Sequence, residues 1–321
     1  MSRSSARRRR YTRLAVLITA LVVAAAAITF NSLLPQPLVP AVTWERLAGW
    51  SGLNRTRSIP DGEFQIHFID VGNADAALLQ TGDCHWLIDG GEPADGPVVV
   101  DYLRSQGVER LDYVVATHPD TDHIGGLPDV LEAFPVDHVL MTYMDGEDTP
   151  TSYTYERLLS TLLQQDIPVT EAKPGQQYAL GEGVVDILGP THTYSESNNM
   201  SVVCRITFGN RRFLMMGDAE TKAETDLMES GADLSADVLK VGHHGSHSST
   251  GTAFLKAVSP SHAVISCGAG NRYGHPHPET LDVLQQQGVH VWRTDVYGHI
   301  VMTTDGTELT VAVEKPEEAA A

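Results

Sequence analysis

The chain has 321 residues, 42% hydrophobic and 20% charged, with 28 Gly and 17 Pro, an ordinary globular composition. It excludes disordered, collagen-like and coiled-coil chains. Charge is unevenly spread: residues 1–60 hold nine Arg and one acid, Glu45, while the rest holds 13 bases against 40 acids, a net of −27. So acidic a region repels phosphate backbones at long range unless bound cations or a local basic groove reverse the field. Cys84, Cys204 and Cys267 are widely spaced and odd in number, which excludes a disulfide framework and a Cys-based zinc cluster.

In chain order, Arg7–Arg10 and Arg13 precede an apolar run from Leu14 to Phe30, broken only by Thr19 and Thr29. A run of that length sits at the short edge of a membrane span, roughly 17–20 residues. Its basic flank stays on the cytoplasmic side, which puts everything after residue 31 outside. The small residues Ala24–Ala27 offer signal-peptide cleavage sites, and the Arg pairs admit a twin-arginine signal. Apolar character continuing to Phe30 favours an uncleaved anchor. The expected organisation is a basic region with an anchor or signal over 1–30 and a Pro-containing linker over 31–60. A folded domain follows over 61–316, then a tail over 317–321. That domain is extracellular at the cell membrane, or secreted if the signal is cleaved.

From Phe64 the pattern changes to short β-type runs. FQIHFIDVG, AALLQTG and CHWLIDGG read as three strands with Gly turns. PVVVDYLRSQG is a helix ending on Gly107, LDYVVATH a buried strand, and IGGLPDVLEAF a helix leaving it. A second half repeats the style. YALGEGVVDILGP and SVVCRITFGNRRFLMMGDAE are strands, TKAETDLMESG a helix and ADVLKVGHH a strand. AFLKAV, HAVISCG and ETLDVLQQQG add helix, strand and helix. Strand runs with helices on both outer sides predict an α/β fold of two packed sheets covered by helices.

The chemistry sits at strand ends. Thr117-His118-Pro119-Asp120-Thr121-Asp122-His123 places four ligand-type side chains within six residues, between a buried strand and Gly125-Gly126. Imidazole and carboxylate at that density suit a divalent transition metal, and the glycines let backbone approach without a Cβ. Asp70, Asp218 and His243-His244 end three further strands. A lone aspartate after a strand is ordinarily a turn former; four such endings in one chain are hard to assign to turns.

The order D70VGNADA, H118PDTDH123, G217D218, LKVGHHGS resembles the metallo-β-lactamase superfamily, and within it the hydrolase domain of ComEC-type competence proteins. SNNMS at 197–201, NRYGHPHPET at 271–280 and RTDVYGHI at 293–300 add to the resemblance, which runs from Phe64 to about Val313. It implies an αββα sandwich over 61–316 holding two divalent metal ions, Zn²⁺ or Mn²⁺. In the family's HxHxDH motif, His118 matches the first His and Asp122 and His123 the closing pair. Asp120 replaces the middle His, a change toward harder ions. Asp218 matches the bridging aspartate, and His243 completes the second metal, with His244 as the fallback. Asp70 resembles a buried aspartate that orients the loop. The third metal-binding His has no counterpart; Asn199 or Ser201 occupies that segment. Lys240, three residues before His243, is assigned no role.

The implied activity is a binuclear metal-dependent hydrolase, a phosphodiesterase or nuclease, in which Asp120 or Asp218 accepts the water's proton. Tyr273, His275 and His277 are placed to bind substrate, with His275 protonating a leaving oxygen. The substrate is a phosphoester, DNA among the candidates; the membrane is met through the N-terminal segment, and no obligate protein partner is evident. With one apolar segment the chain is not expected to form a DNA channel itself. Two alternatives stand beside this reading: hydrolysis of a lactam, lactone or other ester, and a non-catalytic anchored binding protein of the same fold.

Overall fold

Strand β1 (Phe64–Phe68) alternates large apolar residues with His67 and Gln65, and Phe64, Ile66 and Phe68 are fully buried. In this computed structural model, which describes residues 59–315 apart from 61, 145, 147 and 148, that alternation builds the first of two sheets. Residues 1–58, with the expected anchor or signal, and 316–321 lie outside the described residues. Among the described residues, no helix is long and apolar enough to cross a membrane.

The first sheet continues with β2 (Ala77–Thr81), β3 (Cys84–Ile88), β4 (Tyr113–Ala116), β5 (Val139–Met141) and β6 (Val169–Glu171). The second comprises β7 (Gln177–Leu180), β8 (Gly183–Gly189), β9 (Val203–Phe208), β10 (Arg211–Met215), β11 (Val238–Lys240), β12 (His262–Ile265) and β13 (His290–Arg293). The chain then returns to the first sheet with β14 (Ile300–Thr304) and β15 (Leu309–Val313), giving the orders β15-β14-β1-β2-β3-β4-β5-β6 and β13-β12-β11-β10-β9-β8-β7. Ile66 lies opposite both Leu79 and Met302, so the returning strand extends the same buried face. In each sheet an antiparallel half meets a parallel half, at β3–β4 and at β10–β11.

Helices cover both outer faces. On the first sheet, α1 (Gly96–Ser105), α2 (Thr121–Ile124), α3 (Leu127–Ala133) and α4 (Tyr153–Gln164) bury Val99, Leu103, Val130 and Leu158 against Leu78, Leu87 and Val114. On the second, α5 (Thr221–Glu229), α6 (Thr252–Val258) and α7 (Pro278–Gln286) bury Leu227, Phe254 and Leu284 against Leu214 and Leu239. A one-turn helix, α8 (Thr294–Tyr297), leads into β14.

Between the sheets lies a third cluster, to which the first contributes Phe64, Ile66 and Trp86 and the second Val185, Cys204 and Phe213. Phe64 meets Phe213 edge-on at 5.2 Å and stacks on Phe208 at 5.8 Å. Truncating such a residue costs about 3–5 kcal/mol, because transfer and cavity terms add. The αββα expectation therefore holds, and each strand and helix expected above forms.

Sequence reading supplied no element for 135–177, where β5, α4 and β6 lie, and it left β13–β15 unassigned. Parallel strands direct their carboxyl ends to one edge, where open α/β sheets bind ligands. His118 follows β4, Asp218 follows β10 and His243-His244 follow β11.

Candidate metal centre

Thr117 and His118 leave β4 buried, and Asp120 in extended conformation starts α2, which carries Asp122 and His123. Gly125 and Gly126 seat this turn. A Cβ on Gly126 would lie 2.1 Å from the Gly90 carbonyl, and one on Gly125 2.4 Å from Pro93 Cδ. The expected backbone approach is thus met here by the turn after β3.

That turn also supplies Asp89, the carboxylate that orients the loop. Buried Asp89 accepts from His123 Nδ1 at 2.8 Å, from Thr117 Oγ1 at 2.7 Å and from Thr117 N at 2.9 Å. Thr117 Oγ1 stands 3.1 Å from His118 Nδ1, so donation from His118 to Thr117 extends the relay to a second imidazole. A His whose Nδ1–H is held by a carboxylate presents the Nε2 lone pair outward. His244 follows the same rule, its Nδ1 lying 3.0 Å from the Ser266 carbonyl.

Asp122, His123, Asp218 and His244 bring one ligand atom each within 4.8 Å of one another. His244 Nε2 is 3.3 Å from Asp122 Oδ2 and 3.5 Å from Asp218 Oδ2, and His123 Nε2 is 3.2 Å from Asp218 Oδ1. His118 Nε2 faces Asp120 Oδ2 at 3.9 Å, and its ring lies 4.1 Å from that of His123. The Nε2 atoms of His118, His123 and His244, with Asp218 Oδ1, are buried and make no hydrogen bond. Buried polar atoms are normally satisfied; four that converge without partners fit a cation, and the mixed imidazole–carboxylate set fits a divalent one.

The electrostatics agree. Burial opposes the charged form of every group here, yet His244 and His123 hold the Asp218 carboxyl well below the usual range. Asp122 is lowered in the same way, chiefly by its contact with His244. Against the same burial, Asp218, Asp122 and Asp75 raise His244 to about 10, and Asp218 and Asp89 raise His123. His118 is lowered, by burial and by the neighbouring His123. The centre thus attracts positive charge, as protons or as a metal ion.

Other expected residues fall differently. His244, not His243, joins the four-ligand cluster. His243 is partly exposed, its Nδ1 3.0 Å from Glu220 Oε1 and its Nε2 3.9 Å from Asp218 Oδ2. Both histidines have positive φ, 48° and 51°, so the left-handed turn swings His244 inward and leaves His243 at the rim. Asp70 does not orient the loop: it caps the Gly72 N–H at 3.3 Å and lies 3.4 Å from Lys315 Nζ, the turn-former alternative. Asn199 Oδ1 accepts from Glu220 N and Ala223 N, capping α5, so it is no ligand here. Buried Ser201 accepts from Asp218 N at 2.9 Å, with its Oγ 3.4 Å from His118 Nδ1.

His275 is buried, its ring 5.4 Å from that of His243. Burial and the neighbouring His244 push it down to about 4, which leaves it neutral at pH 7 and poorly suited to give up a proton. Tyr273 is exposed and stacks on His275, and His277 Nδ1 accepts from His247 N. Beside the centre, Asp120, Asp122, Thr121, Ser152, Ser195 and Ser197 line a cleft of about 390 Å³.

Sequence reasoning missed Asp89, Thr117, Asp75, Lys240 and Glu220. Asp89 was findable, since LIDGG ends a strand on an acid beside a glycine, as FLMMGDAE does at Asp218. Lys240 carried no such signal.

A two-sheet sandwich covered by helices, with His and Asp donors converging at the strand ends, is a metal-binding hydrolase architecture. The chain belongs to the Metallo-beta-lactamase superfamily, whose profile matches residues 69–269. Among curated relatives it is similar to ComE operon protein 3 of Bacillus subtilis (strain 168), 33% identical over 259 residues, covering 74% of this chain and 33% of that protein. Competence protein ComA of Neisseria gonorrhoeae is 31% identical over 248 residues, covering 76% of this chain and 33% of that protein. The match thus spans about a third of the length of these relatives. Among solved structures, the metallo-beta-lactamase fold protein YhfI from Bacillus subtilis aligns with TM-score 0.51 at 15% identity, over 75% of this chain and all of YhfI.

Proposed function

We propose that the chain is a metal-dependent phosphodiesterase with two divalent cations, Zn²⁺ or Mn²⁺, and that nucleic acid is among its substrates. The observation that carries this reading is the convergence of three unpartnered imidazole Nε2 atoms and Asp218 Oδ1 in one buried space. Asp122, His123, Asp218 and His244 would hold one cation; His118, Asp120 and Asp218 would hold the other. Bound there, two divalent cations supply a water of lowered pKa and neutralise the oxygens of a phosphoryl group.

The chain's own residues do the rest. Asp89 fixes His123 directly and His118 through Thr117, so the donors are preorganised. Asp120, half-exposed at the cleft, accepts the attacking water's proton at Oδ1, its Oδ2 facing His118 on the side of the cation. His243, oriented by Glu220, donates from Nε2 to the leaving oxygen, in place of the expected His275. The hydroxyls of Thr121, Ser152, Ser195 and Ser197 offer hydrogen bonds to substrate in a cleft whose described lining has no Lys or Arg.

That lining makes the anionic substrate dependent on the metals for its counter-charge. The likeness to a protein named for competence supports a DNA substrate, and residues 1–30 would hold the domain on the outer side of the membrane. Turnover of bis-p-nitrophenyl phosphate with Mn²⁺ or Zn²⁺, lost in Asp218→Ala, is the expected result. Hydrolysis of a chromogenic β-lactam with no diester turnover would overturn the assignment.

A further inference from the structure

Lys240 ends β11, where the side chain is 2% exposed. Its Nζ lies 2.8 Å from Asp75 Oδ2 and donates to the Val241 carbonyl at 3.0 Å. Asp75 belongs to the other sheet, in the turn between β1 and β2, so this ion pair joins the two sheets directly behind the candidate centre.

Asp75 makes two contacts with that centre and one with the turn that carries Asp89. Its Oδ1 is 3.5 Å from His244 Nδ1. Its backbone N–H donates to the Asp122 carbonyl at 3.1 Å, and its carbonyl accepts from Gly91 N at 2.8 Å. Asp75, Asp89 and His123 also bring ligand atoms within 4.8 Å of one another. With the Lys240 ammonium already against Asp75, a cation is in place there, and the group is a support for the centre and not a further metal site. Burying two charges is costly, and well-packed apolar residues commonly replace such pairs without loss of stability. Packing alone therefore gives no reason for a Lys in the middle of a buried sheet.

We propose that Lys240 and Asp75 are positioning residues for the metal centre: the pair locks His244 with Nε2 inward and holds the turn that carries Asp122. The proposal rests on the metal-centre reading above. The test measures Co²⁺ affinity by chelator competition, and the Co²⁺ absorption spectrum, in the full chain. Wild type is compared with Asp75→Asn and with the charge-neutral double variant Asp75→Asn/Lys240→Met, which leaves no unpaired buried charge.

The expected result is a 10–100-fold weaker Co²⁺ affinity and an altered ligand-field spectrum in both variants, the double variant folding as a native-like metal-free protein. A pair that serves only stability would lower the melting temperature while Co²⁺ affinity stayed within twofold of wild type, and that result overturns the proposal. A wild-type chain that binds no Co²⁺ overturns instead the metal-centre reading on which the proposal rests.

Discussion

Replacing Asp89 with asparagine perturbs the orientation of the centre without changing its volume. The carboxylate accepts three hydrogen bonds, from His123 Nδ1, Thr117 Oγ1 and Thr117 N, at 2.8, 2.7 and 2.9 Å. An amide can keep the bond from Thr117 N through its oxygen, but its NH₂ then meets the Nδ1–H of His123. The imidazole must either lose its acceptor or move its proton to Nε2, the atom that faces the centre. A buried hydrogen bond to a charged group contributes about 1.5–3 kcal/mol. Loss of about 2–3 kcal/mol corresponds to roughly 30–150-fold in affinity, at the upper end of the roughly 10–100-fold found for partners of ligating histidines and somewhat beyond it. Competition for Zn²⁺ against a chromogenic chelator, with near-UV circular dichroism to confirm the metal-free fold, measures this. Affinity within threefold of wild type would refute the claim that Asp89 orients His123 and His118.

Further expectations follow from the structure. His244→Ala should remove one metal per chain, whereas His243→Ala should keep both and lower turnover; elemental analysis beside a diester assay separates them, and the reverse pattern would restore His243 as the ligand. Metal affinity should rise at least tenfold per pH unit from about 6.5 to 9, because His244, raised to about 10, must shed its proton to ligate. The same raised pKa makes that proton's contribution to metal-free stability full below about 6.5 and lost as pH rises through about 10, so urea midpoints without metal should fall across that window. Burial lifts Glu224 to about 7, although it accepts from Thr250 N and Gly251 N. Its contribution is full below about 4.5 and lost as pH rises through 7, a change of about 3 kcal/mol, and Glu224→Gln should flatten that part of the profile. Gly126→Ala must displace the Gly90 carbonyl and should lower stability by about 2–3 kcal/mol, read from urea unfolding.

The layered fold was readable because its signals are local. Strand alternation at FQIHF, the helical spacing of PVVVDYLRSQG and the ligand-rich turn at His118–His123 each lie within one short segment. What escaped depends on contacts across long separations. β14 joins β1 from more than 200 residues away, and nothing within Ile300–Thr304 names its partner. β5 and β6 have three residues each, too few to show a period. In HHGS the two histidines are adjacent, and only the left-handed backbone at both decides which faces inward. Asp70 and Asp89 both end strands of the first sheet, and the parallel β3–β4 pairing is what sets Asp89, alone of the two, beside the metal-ligand turn. Lys240 and Asp75 come from different sheets, so their pairing follows only from how the sheets stack.

Anomalous diffraction from crystals of the protein grown with Mn²⁺ or Zn²⁺ tests the central claim most directly. Two peaks are predicted, one among Asp122, His123, Asp218 and His244 and one beside His118, Asp120 and Asp218. A metal-loaded crystal with no peak within that cluster would contradict the account.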